Sequence, residues 1–244
     1  MKKTDYDLII VGGGMVGACL AFALKTSSLK IAIIESFNFK TNQQPSYDDR
    51  GIALSYGSQS IFETMGLWSQ LAPHSTAIND IHISDRGHFG ATRLSAKTEN
   101  VPALGQVILA RAMGQVLNQA IAVHETLDII CPSSVTALVQ QDNAVEVTLD
   151  NKRSLTAKLI VAADGANSTI RKLLGLSVTE QTYQQTAITA NINTERPHLN
   201  RAYERFTEHG PIALLPMPDQ RCSLIWTVKS GDETATNKLN DKAF

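Results

Sequence analysis

Three glycines near the N-terminus are spaced for holding a diphosphate. Gly12, Gly14 and Gly17 come directly after an apolar run at residues 8–11. The first glycine permits a sharp turn off a strand, and the second lets the backbone approach a pyrophosphate. The third lets a helix lie close to a sheet. The pattern therefore predicts a strand, a tight turn and a helix whose positive end meets an anion.

The elements that must follow this turn are present in the required order. Met15 and Val16 begin the predicted helix, so their N–H groups would face the phosphates. A second apolar run at residues 30–34 ends at Glu35, and the Ser36 that follows it is also a predicted cofactor-binding residue. A carboxylate there is placed to accept hydrogen bonds from an adenosine ribose. The sequence therefore predicts a bound dinucleotide.

This fingerprint does not by itself choose between NAD and FAD. Two observations favour FAD. The motif begins close to the N-terminus, and the surroundings of Glu35 lack the arginine that would contact a 2′-phosphate.

A second polar cluster joins a predicted strand to a predicted helix. Asp164 can accept hydrogen bonds from a ribose or from backbone N–H groups, and Gly165 allows close approach. Ser168 can cap the helix, and Arg171 can pair with Asp164 or with a phosphate. A capped strand–helix junction without a ligand explains the same residues.

Composition excludes several classes of protein. The chain has 244 residues, of which 43% are hydrophobic, so it can bury a sizeable core. A net charge of −1 and a pI of about 6.6 argue against a nucleic-acid partner. The three cysteines lack CxxC or histidine pairing, which predicts free thiols and no metal site. No run of about 18 apolar residues occurs, so we expect a soluble cytoplasmic protein.

Hydrophobic patterning predicts an α/β region followed by an antiparallel one. After residue 35 a long polar loop extends through residue 50 and contains Pro45. Residues after 185 contain strand-like pieces without helices. The expected strands of the first part are 5–11, 30–35, 78–84, 127–130, 134–140, 144–149 and 158–163. The last is expected to be covered on both faces, and the strands 134–140 and 144–149 to form a hairpin. The expected helices are about 15–27, 57–67 and 109–123.

Further motifs carry a resemblance to a known family. Residues 49–55 read Asp-Arg-Gly-Ile-Ala-Leu-Ser, ahead of a predicted helix that ends Met-Gly-Leu-Trp. Residues 83–88 read Ile-Ser-Asp-Arg-Gly-His, and residues 204–211 read Glu-Arg-Phe-Thr-Glu-His-Gly-Pro. Together with the glycine fingerprint and the Asp-Gly block, they resemble the class A flavoprotein aromatic hydroxylases, in the ubiquinone-biosynthesis branch. The resemblance runs over essentially the whole chain.

The resemblance implies a fold and a domain organisation. The fold would be α/β, with a three-layer, Rossmann-like FAD-binding domain and an inserted antiparallel-sheet substrate domain that is incomplete here. The FAD-binding domain would occupy residues 1–74 and 101–178, and the substrate domain residues 75–100 and 179–244.

The resemblance also implies roles for individual residues. The three fingerprint glycines and Glu35 would hold the ADP half of FAD, while Asp164 would bind the ribose and steady the glycine turn. Arg50 would meet the diphosphate or the ribityl chain, and a solvated loop arginine is the alternative. Gln106 and Arg111 would touch the ribityl chain or the ribose, unless they only cap a helix. No catalytic residue is assigned; the candidates for deprotonating a phenol, by residue type alone, are His82, His88, His198 and His209.

The implied reaction is ring hydroxylation in ubiquinone biosynthesis. NAD(P)H, bound transiently, would reduce the flavin, and O₂ would then oxygenate a polyprenyl phenol of the 2-octaprenyl-6-methoxyphenol type through a flavin C4a-hydroperoxide. The apolar substrate implies peripheral contact with the inner membrane, and other proteins of ubiquinone synthesis are potential partners.

The sequence departs from the family at one motif. Members carry a Gly-Asp-Ala-Ala-His segment, whereas Gly231-Asp232 is followed here by Glu-Thr-Ala. We therefore expect a chain that stops inside the substrate domain, through fragmentation or a frameshift, and that by itself binds FAD weakly and hydroxylates poorly. A binding or assembly subunit, or another oxidoreductase with the same fingerprint, remains open.

Overall fold

The described structure, a computed structural model, covers most of the chain. It describes residues 4–38, 48–124 and 126–239. The predicted loop around Pro45 lies mostly outside these residues. In chain order the strands are β1 (Tyr6–Val11), β2 (Ile31–Ile34), β3 (Gly51–Ser55), β4 (Ser75–Ile78), β5 (Asp80–Asp85), β6 (Ala91–Ser95), β7 (Gly105–Leu109), β8 (Leu127–Ile130), β9 (Val135–Gln141), β10 (Ala144–Leu149), β11 (Ser154–Ala162), β12 (Gln185–Asn193), β13 (Arg201–Phe206), β14 (Ile212–Pro216) and β15 (Arg221–Lys229). The α-helices are α1 (Met15–Ala23), α2 (Tyr56–Thr64), α3 (Trp68–Leu71), α4 (Ala96–Glu99), α5 (Ala110–Ala122), α6 (Thr169–Leu173) and α7 (Glu233–Thr236).

The chain divides into two compact units. The first contains residues 1–48 and 111–179, and the second contains residues 49–110 and 180–244. Residues 49–74 and 101–110, which the sequence associates with the FAD-binding part, fall in the second unit because β3 and β7 pair with each other there. The functional assignment of the domains stays a prediction.

The first unit is built on one six-stranded sheet. Its strand order is β8-β2-β1-β11-β10-β9, and β8, β2, β1 and β11 run parallel. The apolar runs of β1 and β2 are buried, as continuous apolar strands of a parallel sheet should be. The predicted hairpin is confirmed as β9 and β10.

The expectation that the strand at 158–163 is covered on both faces is wrong. Leu159 in β11 is 58% exposed, although its register partner Leu8 in β1 is only 5% exposed. Helix α1 packs against β1 and β2, which explains why Leu8 is covered. Coverage of a sheet face is decided by where helices come to lie, and an apolar run does not specify that.

Two helices of the first unit present apolar faces to the core. α1 ends at Ala23, four residues before the predicted end, and its buried Gly17, Ala18 and Ala21 are small enough to allow a close approach. α5 buries Met113, Val116, Leu117, Ala120 and Ile121, the i, i+3, i+4, i+7, i+8 spacing of an amphipathic helix.

The second unit contains two sheets. The larger has the order β12-β15-β14-β13-β5-β6, and the smaller has the order β3-β7-β4. The predicted antiparallel region is confirmed, with the exception that β5 and β13 pair in parallel. The predicted helix 57–67 ends early because Gly66 adopts a left-handed φ of 74°, the conformation that terminates many helices.

Candidate functional site

A cleft of about 420 Å³ lies at the carboxyl ends of the parallel strands in the first unit. Residues that end β1, β2 and β11 line it, and so does the segment that leads into β9. In open α/β sheets, ligands bind in the crevice outside the carboxyl ends of the strands. The glycine turn, Glu35 and Asp164, which lie far apart in the sequence, are thereby brought to one place.

Close packing explains the glycines of the turn. Gly12 has a φ of +102°, and a Cβ there would overlap the carbonyl oxygen of Ala163. A Cβ on Gly17 would overlap the carbonyl oxygen of Gly12. The Gly12 N–H donates to the carbonyl of Ile34 at 2.8 Å, which ties the turn to the end of β2. The turn is thus held against both neighbouring strands by backbone contacts.

The N-terminus of α1 opens toward this cleft at Gly14. Gly14 is the N-cap residue and lines the cleft, and no side chain in the described part of the chain caps it. Helix geometry leaves the N–H groups of Met15, Val16 and Gly17 without an intrahelical acceptor. The Val16 side chain is 74% exposed, so the first turn of the helix is not buried in the core at this residue. An anion can therefore meet these N–H groups directly.

Glu35 holds both the glycine turn after β1 and the segment that follows β2. The side chain is 4% exposed, and its Oε2 accepts the Gly13 N–H at 2.6 Å. Its Oε1 accepts the Phe37 N–H at 2.7 Å and the Ser36 hydroxyl at 3.3 Å. Each carboxylate oxygen can accept two hydrogen bonds, so acceptor capacity remains for a ribose hydroxyl. The ribose contact stays a prediction, and the anchoring of the glycine turn is an additional role.

The Asp164 carboxylate is directed to the start of α6. It accepts the Ser168 hydroxyl at 2.5 Å and the backbone N–H groups of Thr169 at 2.7 Å and Ile170 at 3.1 Å. The predicted cap is confirmed, because the Ser168 hydroxyl accepts the Arg171 N–H at 3.0 Å. The Arg171 guanidinium donates to the Ala166 carbonyl at 2.6 Å and not to Asp164, while its other expected partner, a phosphate, stays a prediction.

Backbone atoms, and not the Asp164 carboxylate, meet the glycine turn. The nearest atoms to a Cβ on Gly12 belong to the peptide between Ala163 and Asp164. Gly165 has a φ of +81°, and a Cβ there would have no atom within 4 Å. Because Gly165 also lines the cleft, it leaves room for a ligand on that side. A ribose contact by Asp164 stays a prediction.

One wall of the cleft, which includes two consecutive serines, was missed by sequence reasoning. Phe37, Ser133, Ser134 and Val135 line it. Ser133 is 4% exposed, and its N–H donates to the Glu35 carbonyl at 2.8 Å. No spacing in the sequence identifies these serines, because the strand pairing of β2 with β8 is what brings them beside Glu35.

The other predicted cofactor residues occupy different surroundings. Gln106 lies in β7 of the second unit, where its amide donates to Gln59 at 3.0 Å and accepts the Ser75 hydroxyl at 3.3 Å. Arg50 precedes β3, and its carbonyl accepts the Ala110 N–H at 3.0 Å. Arg111, in the first unit, donates its N–H to the Asp48 carbonyl at 2.9 Å. Their contacts with a cofactor stay predictions.

The four candidate histidines all lie in the second unit. His198 is buried, its Nδ1 accepts the Asn200 N–H at 3.0 Å, and its Nε2 is 3.0 Å from the Met217 carbonyl. Both ring nitrogens are therefore used structurally. His88 pairs with Asp85 at 2.9 Å, His209 lies 3.4 Å from Glu208, and the ring of His82 lies beside that of Tyr203. None of these contacts assigns a catalytic base.

Electrostatic shifts occur away from the cleft lining. Burial raises the pKa of the Cys19 thiol to about 11 and also raises the pKa of Cys222. Burial, reinforced by a hydrogen bond to Asp128, raises the pKa of Tyr6 to about 12. Hydrogen bonds from Thr156 lower the pKa of Asp5, and one from Lys158 lowers that of Asp7. Thiols with raised pKa values are poor nucleophiles, so the two cysteines fit structural positions.

Residues 4–38, 48–124 and 126–239 contain no group of three or more His, Cys, Asp or Glu side chains placed to hold a metal ion. Among these same residues, no helix combines the length and the apolar character needed to cross a membrane.

The fold and the cleft define a dinucleotide-binding α/β protein. One crevice at the end of a parallel sheet combines three features. They are a glycine turn with no room for a Cβ, a helix N-terminus without a side-chain cap and a buried acid at the end of the next strand. The chain belongs to the FAD binding domain family, which matches residues 5–243. FAD is the cofactor of this family, and the cradle left by the glycines, together with the helix N–H groups, fits its diphosphate.

Two relatives with similar sequences are named as hydroxylases. The chain is 33% identical over 229 residues to the ubiquinone hydroxylase UbiL of Rhodospirillum rubrum, covering 92% of this chain and 52% of the relative. It is 31% identical over 234 residues to the 3-demethoxyubiquinol 3-hydroxylase of Escherichia coli, covering 93% and 58%. The chain thus spans about half the length of these relatives.

The same fold occurs in a solved bacterial structure. PqsL of Pseudomonas aeruginosa, described as a probable FAD-dependent monooxygenase, matches with a TM-score of 0.78 and 19% identity. The match covers 95% of this chain and 62% of PqsL. At this identity, the likeness concerns the fold alone.

Proposed function

We propose that the chain provides the FAD-binding part of a monooxygenase that hydroxylates a polyprenyl phenol in ubiquinone biosynthesis. The substrate would be of the 2-octaprenyl-6-methoxyphenol type. In the overall reaction, the phenol, O₂, NAD(P)H and a proton yield the hydroxylated phenol, water and NAD(P)⁺. The names of the relatives support the pathway, and ubiquinone hydroxylases among them support the reaction class.

One observation carries the proposal. The buried Glu35 carboxylate at the end of β2 binds the Gly13 N–H, so the glycine turn and the acid form a single preorganised cradle. Preorganisation favours binding because fewer groups have to be ordered when the ligand arrives.

Each part of the cleft has a role in this function. The N–H groups at the start of α1 would bind the diphosphate, and Glu35 would orient the adenosine ribose. Gly165 leaves space beside the ligand. FAD, when bound, supplies the redox chemistry by which NAD(P)H and O₂ convert a ring C–H bond into C–OH.

The test follows oxygen incorporation by the purified chain. FAD is supplied in excess, because we expect the chain alone to bind it weakly and to hydroxylate slowly. We expect a short-tailed 2-prenyl-6-methoxyphenol, with NADPH, to increase NADPH oxidation slowly and to gain one oxygen atom from ¹⁸O₂, as measured by mass spectrometry. Glu35→Gln protein should lose both signals, and boiled protein sets the background.

Other outcomes point to the alternatives. Bound flavin with NADPH oxidation that no phenol stimulates would indicate a different oxidoreductase of the same fold. Capture of other ubiquinone-synthesis proteins by a chain that binds no flavin would indicate an assembly subunit. Tight, stoichiometric flavin in the purified chain would refute the expectation of weak FAD binding.

A further inference from the structure

Asp150 holds one wall of the nucleotide cleft from outside it. It follows β10 at the start of a turn and is not among the described residues that line the cleft. Its Oδ1 accepts the Ser133 hydroxyl at 3.0 Å, and its Oδ2 accepts the Ser134 N–H at 3.2 Å. Its own N–H donates to the Ser134 carbonyl at 2.9 Å. Three hydrogen bonds therefore connect one aspartate to two consecutive lining residues.

The two serines are attached to Glu35 on their other side. The Ser133 N–H donates to the Glu35 carbonyl, and the buried Glu35 carboxylate holds the Gly13 N–H. A continuous chain of hydrogen bonds therefore runs from Asp150 through Ser133 and Glu35 to the glycine turn. A displacement of Ser133 would therefore disturb its hydrogen bond to Glu35, the acid that is expected to hold the ribose.

Asp150 is suited to this role by its own surroundings. The Asn151 N–H donates to the Asp150 Oδ1 at 2.9 Å, so a hydrogen bond within the turn also holds the carboxylate that binds the serines. Hydrogen bonds to a charged carboxylate are stronger than bonds between neutral groups, so Asp150 can hold the two serines firmly. An alanine at this position would remove the acceptor of the buried Ser133 hydroxyl, and a buried polar group without a partner is costly.

We propose that Asp150 is a positioning residue for the adenosine diphosphate part of FAD, acting through Ser133 and Ser134. This inference rests on the nucleotide cleft of the proposed function and is independent of the hydroxylation step. It predicts that the loss of Asp150 weakens the binding of ADP and of FAD by the same factor. The reason is that the two serines lie beside Glu35, which is expected to hold the ribose that both ligands share.

The experiment measures ADP and FAD dissociation constants by calorimetry for the full chain. We expect Asp150→Ala to raise both constants about tenfold, from the loss of two hydrogen bonds. Asp150→Asn, which keeps the shape of the side chain and one acceptor oxygen, should raise them by a smaller factor. Asp142→Ala is the matched control, since Asp142 is an exposed turn aspartate at the other end of the same strand pair.

A double-mutant cycle separates positioning from general destabilisation. If Asp150 acts through Ser133, the variant that combines Asp150→Ala with Ser133→Ala should bind ADP no more than about twofold more weakly than Asp150→Ala alone. Additive losses, or dissociation constants for both Asp150 variants within twofold of the Asp142→Ala control, would overturn the inference. A wild-type chain that binds neither ADP nor FAD would overturn the cofactor site itself, whereas wild-type binding with unaffected variants removes only the role of Asp150.

Discussion

At the scale of single residues, Glu35 joins the architecture of the cleft to its chemistry. Its two oxygens hold the backbone before α1 and the backbone after β2, and its own carbonyl holds Ser133. A carboxylate in this position does not need to be moved when a nucleotide arrives. The same group can therefore orient a ribose hydroxyl at little further entropic cost.

Glu35→Gln should remove this function while keeping the shape of the side chain. The new NH₂ group would face either the Gly13 or the Phe37 N–H, so one buried donor loses its acceptor. We expect a loss of stability of about 1–3 kcal/mol in urea unfolding and at least a tenfold weaker ADP affinity in calorimetry. Glu195→Gln, the same substitution at an exposed glutamate of the second unit that does not line the cleft, should change both by far less. Equal effects of the two variants would contradict this role.

At the scale of elements, α1 can approach β1 closely because Gly17 has no side chain on the face that meets the strand. Gly17 lies against the carbonyl of Gly12 and beside the Ile10 side chain, with no room for a methyl group. The helix therefore approaches the sheet closely enough for its N–H groups to reach the cleft. A larger residue would push the helix outward and withdraw its positive end from the diphosphate.

Gly17→Ala should therefore destabilise the fold as well as abolish binding. We expect a loss of about 3 kcal/mol in the free energy of unfolding, because backbone atoms cannot move away from the new Cβ. Gly57→Ala is the control in another helix, where the nearest heavy atom would be 3.7 Å from the Cβ. That variant should gain up to about 1 kcal/mol, the usual preference for alanine in a helix. Urea unfolding of both proteins checks the difference, and a stable, ADP-binding Gly17→Ala protein would contradict the close-approach argument.

At the scale of the whole molecule, the described cleft lining comes entirely from the first compact unit. A ligand stabilises those conformations that contain its site, and it adds nothing to regions whose local opening leaves the site intact. Binding should consequently be visible as a regional effect along the chain.

Amide hydrogen exchange with and without ADP tests this. At 100 times its dissociation constant, ADP adds about 2.7 kcal/mol of stability, which slows exchange by up to about a hundredfold. We expect slowing in β1, in the start of α1 and in residues 131–135, while β14 and β15 serve as internal controls and remain unchanged. Equal protection of β14 and β15 would show that nucleotide binding is not confined to the first unit.

The local parts of the site could be predicted from the sequence. The glycine spacing, the apolar runs and Glu35 predict β1, α1, β2 and the acid because neighbouring residues decide turns, helix starts and strand ends. The hairpin of β9 and β10 was predictable for the same reason. The early end of the helix after Thr64 was not, since Gly66 could equally have continued a helix at a modest cost.

Contacts between distant segments were decided only by the tertiary structure. The serine wall at 133–134, its attachment to Asp150 and the direction of the Asp164 carboxylate toward α6 depend on which segments meet. So do the parallel pairing of β5 with β13 and the exposure of Leu159. The sequence alone determined the kind of ligand, because a diphosphate is recognised by one continuous turn. Packing determined which side chains surround that ligand, because strand order is set by burial over the whole chain and leaves no local pattern.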